Sequence, residues 1–254
     1  ESSAFALTHG AAAALVISRD AATARAGLAF ETQPVIHVVD SQGNLVDTGA
    51  QAASEITATV GTGAQITAGR GTTTTSAGVS RFDTISGDAL GLTGTAGSYT
   101  ITYTAVIGGS TLTASQPITL TAGVAYKVTE FVAPATTNTT GLDFATAPQL
   151  KVRDQWNNWI ENENTATAKV ALVQPNGTVG SYSATAVKAV NGIITFDGLN
   201  YVATPATGYR LKFEFVGGNA DRFATSSAFE IVPGAPYEFA FITTPSEARS
   251  DIEL

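Results

Sequence analysis

The sequence predicts an all-β chain of tandem two-sheet sandwiches. Three observations carry that prediction: a repeat that keeps one spacing, a side-chain periodicity of two, and turn-forming residues at the breaks between apolar runs. The repeat comes first. Gly27-Leu28-Ala29-Phe30-Glu31-Thr32-Gln33-Pro34, then Val38-Val39-Asp40, aligns with Gly141-Leu142-Asp143-Phe144-Ala145-Thr146-Ala147-Pro148, then Val152-Arg153-Asp154, at an offset of 114 residues. The same offset relates Asn44 to Asn158, and Gly78, Phe82 and Asp83 to Gly192, Phe196 and Asp197. It then shrinks to 111, where Gly97 faces Gly208 and Gly123 faces Gly234, as a small deletion in a late loop would produce.

The ends carry fragments of the same pattern. Ser2-Ser3-Ala4-Phe5 matches Ser226-Ser227-Ala228-Phe229, each ending in Gly five residues later, and Gly234-Ala235-Pro236-Tyr237 mirrors Gly123-Val124-Ala125-Tyr126. The expected organisation is therefore a window on a longer array. Residues 1–10 read as the last strand of a preceding repeat, 11–122 and 123–233 as two repeats, and 234–254 as the start of a following one. The linkers Thr121-Ala122-Gly123 and Val232-Pro233-Gly234 leave little freedom, so successive units should stand nearly end to end.

Within each repeat, Tyr99-Thr100-Ile101-Thr102-Tyr103 and Leu211-Lys212-Phe213-Glu214-Phe215 alternate apolar and polar side chains, as half-buried strands do. Similar runs stand at Val35 to Val39, Ile56 to Val60, Arg81 to Ile85, Gln149 to Arg153, Ala168 to Val173 and Ile193 to Phe196. Ala11 to Ile17 and Ala21 to Leu28 have helix-friendly composition but form no convincing helix of a dozen residues. Gly, Asn, Asp, Ser and Pro clusters separate the runs. About seven short strands per repeat fit a sandwich of immunoglobulin type. Tyr99 and Tyr209, beside Gly97 and Gly208, occupy the place of a tyrosine corner, whose hydroxyl bonds to upstream backbone, and Ile101 takes the following core slot.

These motifs resemble bacterial immunoglobulin-like tandem repeats of surface-layer proteins and large adhesins. The resemblance rests on G-x-x-F-x-T-x-P-x-x-x-V-x-D-x-x-x-N, on the later G-x-x-x-F-D and on Gly-Tyr before a strand, and it covers essentially the whole chain. It implies a secreted, non-enzymatic structural segment at the bacterial cell surface, most simply a subunit of a surface-layer lattice in contact with copies of itself. The alternatives are the stalk or tip of an adhesin that binds glycan or protein through loops, and a noncatalytic module of a secreted hydrolase.

Composition agrees with this. The chain has 254 residues, 44% hydrophobic but only 13% charged, so hydroxyls replace charges on much of its surface. Lys and Arg number 13 against 21 Asp and Glu, for a net charge of −8 and a pI near 4.7, the reverse of the basic footprint that nucleic acid requires. There is no Cys, which excludes disulfides, thiolate metal sites and thiol nucleophiles, and no Met. The longest apolar stretch, Ala11 to Ile17, falls well short of the roughly 18–20 residues of a membrane span.

Few residues offer chemistry. Asp40 to Asn44 and Asp154 to Asn158 occupy one repeat position between apolar segments. The plain reading is a hairpin turn, with Asp capping the turn and Asn or Gly taking positive φ. The sharper reading is calcium, bound by Asp154, Asn158, Glu161 and Glu163 in the second repeat, where the first offers Asp40, Asn44 and Asp47; neither follows EF-hand spacing. Trp156 and Trp159, the two tryptophans, flank that turn as contact candidates for a sugar ring or a neighbouring subunit, Trp156 above all. Odd spacing places them on opposite faces of an extended segment, so one is expected in the core or against the linker. His9 and His37 sit in no nucleophile motif, and His37 alternates with Val35 and Val39 as a strand residue. Gly69-Arg70-Gly71-Thr72 is no phosphate cradle, since no Lys follows. Asn138-Thr139-Thr140 and Asn176-Gly177-Thr178 are glycosylation sequons.

Overall fold

The structure is a computed structural model that describes residues 8–67, 71–83, 87, 89–217, 222–236 and 238. The readings placed on residues 1–7 and on the stretch beyond 238 lie outside these residues. The first half of the chain carries β1 (Ala12–Arg19), β2 (Ala24–Arg25), β3 (Val35–Asp40), β4 (Glu55–Val60), β5 (Ala64–Ile66), β6 (Thr72–Thr74), β7 (Val79–Arg81), β8 (Leu92–Gly94), β9 (Gly97–Ile107) and β10 (Ser110–Thr121). The second carries β11 (Lys127–Val132), β12 (Thr137–Thr139), β13 (Gln149–Arg153), β14 (Thr167–Val173), β15 (Val187–Lys188), β16 (Ile193–Thr195), β17 (Ala206–Val216), β18 (Phe223–Thr225) and β19 (Phe229–Val232).

The two halves repeat one topology. In the first, β1-β3-β7 form one sheet and β2-β10-β9-β4-β6 the other. In the second, β11-β13-β16 face β12-β19-β17-β14-β15. In both, the first long strand pairs antiparallel in the small sheet, and the chain then crosses to pair parallel with the last strand of the large one, at Ala24 with Leu120 and Thr137 with Glu230. That sheet switch is the immunoglobulin-like arrangement, and the chain is a tandem of such sandwiches. The small β5–β8 pair in the first half is an addition.

Periodicity of two builds the cores. Ile101, Tyr103, Ala105 and Ile107 of β9 point inward, as do Tyr209, Leu211, Phe213 and Phe215 of β17. The buried apolar side chains form two clusters, one running from Leu15 to Leu120 and the other from Val128 to Ile231. Ala12–Arg19 is a strand despite its alanines, because six of its residues register against β3 and burial of Leu15 outweighs local helix propensity.

Two strand expectations need correction. The run Arg81 to Ile85 is strand only at Val79–Arg81, where Val79, Ser80 and Arg81 pair with His37, Ile36 and Val35; Phe82 then leaves the ladder and is fully buried, and Thr84 and Ile85 lie outside the described residues. Tyr99 and Tyr209 lie inside the first residues of β9 and β17, not before them. The spacing between the repeats changes in two steps, a drop before Leu90 and a partial return to 111 by Gly97 and Gly208. Phe30 N donates to Leu90 O and Phe144 N to Leu199 O, so the offset has dropped from 114 to 109 between Asp83 and Leu90.

Candidate functional site

Asp40 ends β3 and Asp154 follows β13, and each carboxylate gathers four N–H donors. Asp40 Oδ1 accepts from the backbone of Gln42 and Asn44, both at 2.9 Å, and Oδ2 accepts from Asn44 Nδ2 at 3.1 Å and Gly10 N at 2.7 Å. Asp154 repeats the pattern: Oδ1 accepts from Trp156 N (2.9 Å) and Asn158 N (2.8 Å), and Oδ2 from Asn158 Nδ2 and Gly123 N, both at 2.8 Å. Only an ionised carboxylate presents enough lone pairs, with no donor of its own, to suit such a site. The N–H of Gly10 and then the amide of Asn44 hold the Asp40 carboxyl well below the usual carboxylate range. The turn is thus tied to the glycine that leads into its own sandwich, a link the Asp-x-x-x-Asn spacing does not reveal.

In the second repeat the same turn also grips the first sandwich. Trp156 packs against the first core, and its ring covers Gly27, where a Cβ would lie 2.3 Å from Cη2. Gly27 holds φ +81°, a conformation that disfavours L side chains, so glycine is required there twice over. Asn158, 7% exposed, donates from Nδ2 to Gly94 O (2.9 Å) and accepts at Oδ1 from Ala96 N (2.7 Å). With its bond to Asp154, both Nδ2 hydrogens are used. Arg25 Nη2 donates to Gly123 O (3.1 Å), and a Cβ on Gly123 would stand 2.4 Å from Ala26 O. The sandwiches therefore meet through main chain, a satisfied amide, one guanidinium and one indole. In the first repeat the equivalents Gln42 and Asn44 are exposed.

The four residues proposed for calcium are not assembled as a metal site. Among the described residues no group of three or more His, Cys, Asp or Glu side chains stands as an ion would need. Asp154 oxygens already face four donors, a positive environment that repels a cation. Glu163 Oε1 accepts from Thr165 N, Thr165 Oγ1 and Ala166 N. Burial opposes the Glu163 charge, but those bonds outweigh it and lower its pKa. Glu161 is exposed, and Asp47 lies 3.8 Å from His9 Nε2.

Trp156 packs within the chain, over Gly27 and against the first core. Trp159 does lie apart from it: Nε1 donates to Gly192 O (3.3 Å), and Lys151 Nζ sits 4.2 Å from its ring and 3.9 Å from that of Phe131. Tyr99 Oη donates to Thr95 O (2.7 Å) and Tyr209 Oη to Thr204 O (2.6 Å), four and five residues upstream. His37 lies within β3. Asn138 is buried, with Nδ2 on Ala135 O, whereas Asn176 sits on an exposed turn and accepts from Thr178 N. Arg25, Gly27, Gly94 and Ala96 went unread in the sequence. Gly27 alone had a signal there, its match to Gly141; Gly94 and Ala96 act only through backbone.

Where the sandwiches meet, a cleft of about 610 Å³ opens between Thr23, Arg25 and Ala96 on one side and Trp159, Glu161 and Asn162 on the other. Among the described residues no helix is long and apolar enough to cross a membrane.

No protein-family model and no curated protein sequence matches the chain. Among solved structures it is similar to fibronectin(III)-like modules of Clostridium thermocellum CbhA, at 12% identity and a TM-score of 0.23 over 89% of this chain and 99% of that one. It is also similar to a chimeric titin Z1Z2, at 14% identity and 0.26 over 89% and 100%. Mouse clustered PcdhgC3 EC1-3 is similar at 11% identity and 0.34 over 87% and 68%. The fold assignment rests on strand order and register.

Proposed function

We propose that the chain is a stiff structural segment of a secreted bacterial surface protein, a subunit of a surface-layer lattice, and that its role is mechanical rather than catalytic. The observation that carries this reading is the joint itself: Trp156 over Gly27, with Asn158 bonded to both Gly94 and Ala96, fixes one sandwich on the next at the linker. In a tandem array each unit contacts only its neighbours, so stiffness is set joint by joint. The lack of Cys and Met removes the side chains most open to oxidation, and a hydroxyl-rich surface with a net charge of −8 suits exposure outside the cell.

Electron microscopy and sedimentation of the full-length protein test the proposal. Sheets or tubes with a regular repeat are expected. A protein that stays monomeric at high concentration, with and without calcium, and coats no surface would overturn the lattice reading.

A further inference from the structure

The cleft between the sandwiches is built by the joint, since its walls come from both. We propose that it binds a neutral, hydroxyl-rich ligand of oligosaccharide type, and that it does so only while the joint is closed. This rests on the joint and not on the lattice.

The volume of about 610 Å³ falls inside the range of roughly 300–1,000 Å³ typical of small-molecule sites, which favour interfaces of this kind. Its one aromatic lining residue is set in place beforehand. Trp159 is fixed at its edge by the bond to Gly192 O and on its ring by the Lys151 ammonium. An indole held in this way suits the apolar C–H face of a pyranose. Arg25 is likewise oriented by its bond to Gly123 O and retains further N–H donors. The Glu161 carboxylate and the Asn162 side-chain amide have no partner among the described residues. One cation, one anion and one amide around one indole offer donors and acceptors together, as sugar hydroxyls require. A charged ligand would meet a like charge at Arg25 or Glu161, and polyanions face the net charge of −8 as well. Thr23, on the same wall, holds φ +56°, a left-handed conformation rare for a β-branched residue and of a kind that gathers at ligand sites.

Titration of the ¹⁵N-labelled chain with maltotetraose, cellotetraose and N-acetylchitotetraose, with tetragalacturonate as the anionic comparison, tests this. At least one neutral sugar should give saturable shifts at the amides of Arg25, Ala96, Thr121 and Glu161. Arg25→Ala and Glu161→Gln, both at exposed positions, should each raise Kd about tenfold, as loss of a charge-assisted hydrogen bond does. Trp156→Ala, which lines no part of the cleft, should abolish binding while the amide spectra show both sandwiches folded. No saturable shift with any of the three neutral sugars would overturn the proposal, as would a Kd unchanged in both cleft variants or tighter binding of tetragalacturonate. Full affinity in Trp156→Ala would overturn the dependence on the joint.

Discussion

The indole of Trp156, in the second sandwich, lies across Gly27 of the first, so close that a Cβ at Gly27 would stand 2.3 Å from Cη2. Two units with separate cores are thereby coupled by one side chain and one missing side chain. Gly27→Val should destabilise the chain by about 2 kcal/mol, part from the left-handed backbone and part from expulsion of the ring. Calorimetry should then show the coupled transition of the native chain split into two. A single transition at the native midpoint would remove the lock.

Asp154 is fully buried and has four donors on its carboxylate. Asp154→Ala strands the amides of Gly123, Trp156 and Asn158 and frees the Asn158 side chain. A loss of about 3 kcal/mol or more follows from leaving buried donors unpaired. Denaturant unfolding should show that loss in the second sandwich, whereas a change under ~0.5 kcal/mol would mean that water replaces the carboxylate freely.

Asp40 makes stability depend on acid. Its folded pKa lies well below the unfolded value of 3.8, so its contribution is complete above 3.8 and is lost progressively as pH falls from there toward and through the folded pKa. Thermal midpoints measured from pH 7 down to pH 2 should fall more steeply below pH 4 for the native chain than for Asp40→Asn, so that the two curves draw together toward pH 2. Parallel curves would show that the carboxylate charge does not matter there.

The two tyrosine hydroxyls should differ in worth. Tyr209 is buried and its bond to Thr204 O is partly shielded, so Tyr209→Phe should cost about 1 kcal/mol. The Tyr99 bond to Thr95 O is open to solvent, and water can take it over, so Tyr99→Phe should cost less than half of that. Equal losses in chemical denaturation would contradict this ranking.

Much of the fold was legible because it is written in side-chain pattern. Alternation in Tyr99–Tyr103 and Leu211–Phe215, and the constant spacing from Gly27 to Asp83, are direct records of pleat and repeat. Residues whose state depends on distant pairing were harder: Ala11 to Ile17 reads as helix-friendly, and from Ala12 onward it is strand because β3 registers against it. The site was legible by place but not by purpose. Asp154, Trp156 and Asn158 stood out in the sequence, yet the partners of Asn158 are main-chain groups 62 and 64 residues away, which carry no residue signature. What the acidic turn holds was hidden for the same reason, since three of the four donors on Asp154 are backbone N–H groups that no spacing rule displays.

The joint of Trp156 and Asn158 should hold the two sandwiches as one body. Nitrogen-15 relaxation of the intact chain measures this directly, through the rotational correlation time and diffusion tensor of each sandwich. Both should report one shared, elongated tensor in the native chain, and two smaller ones in Trp156→Ala combined with Asn158→Ala. Independent tumbling of the two sandwiches in the native chain would contradict the account.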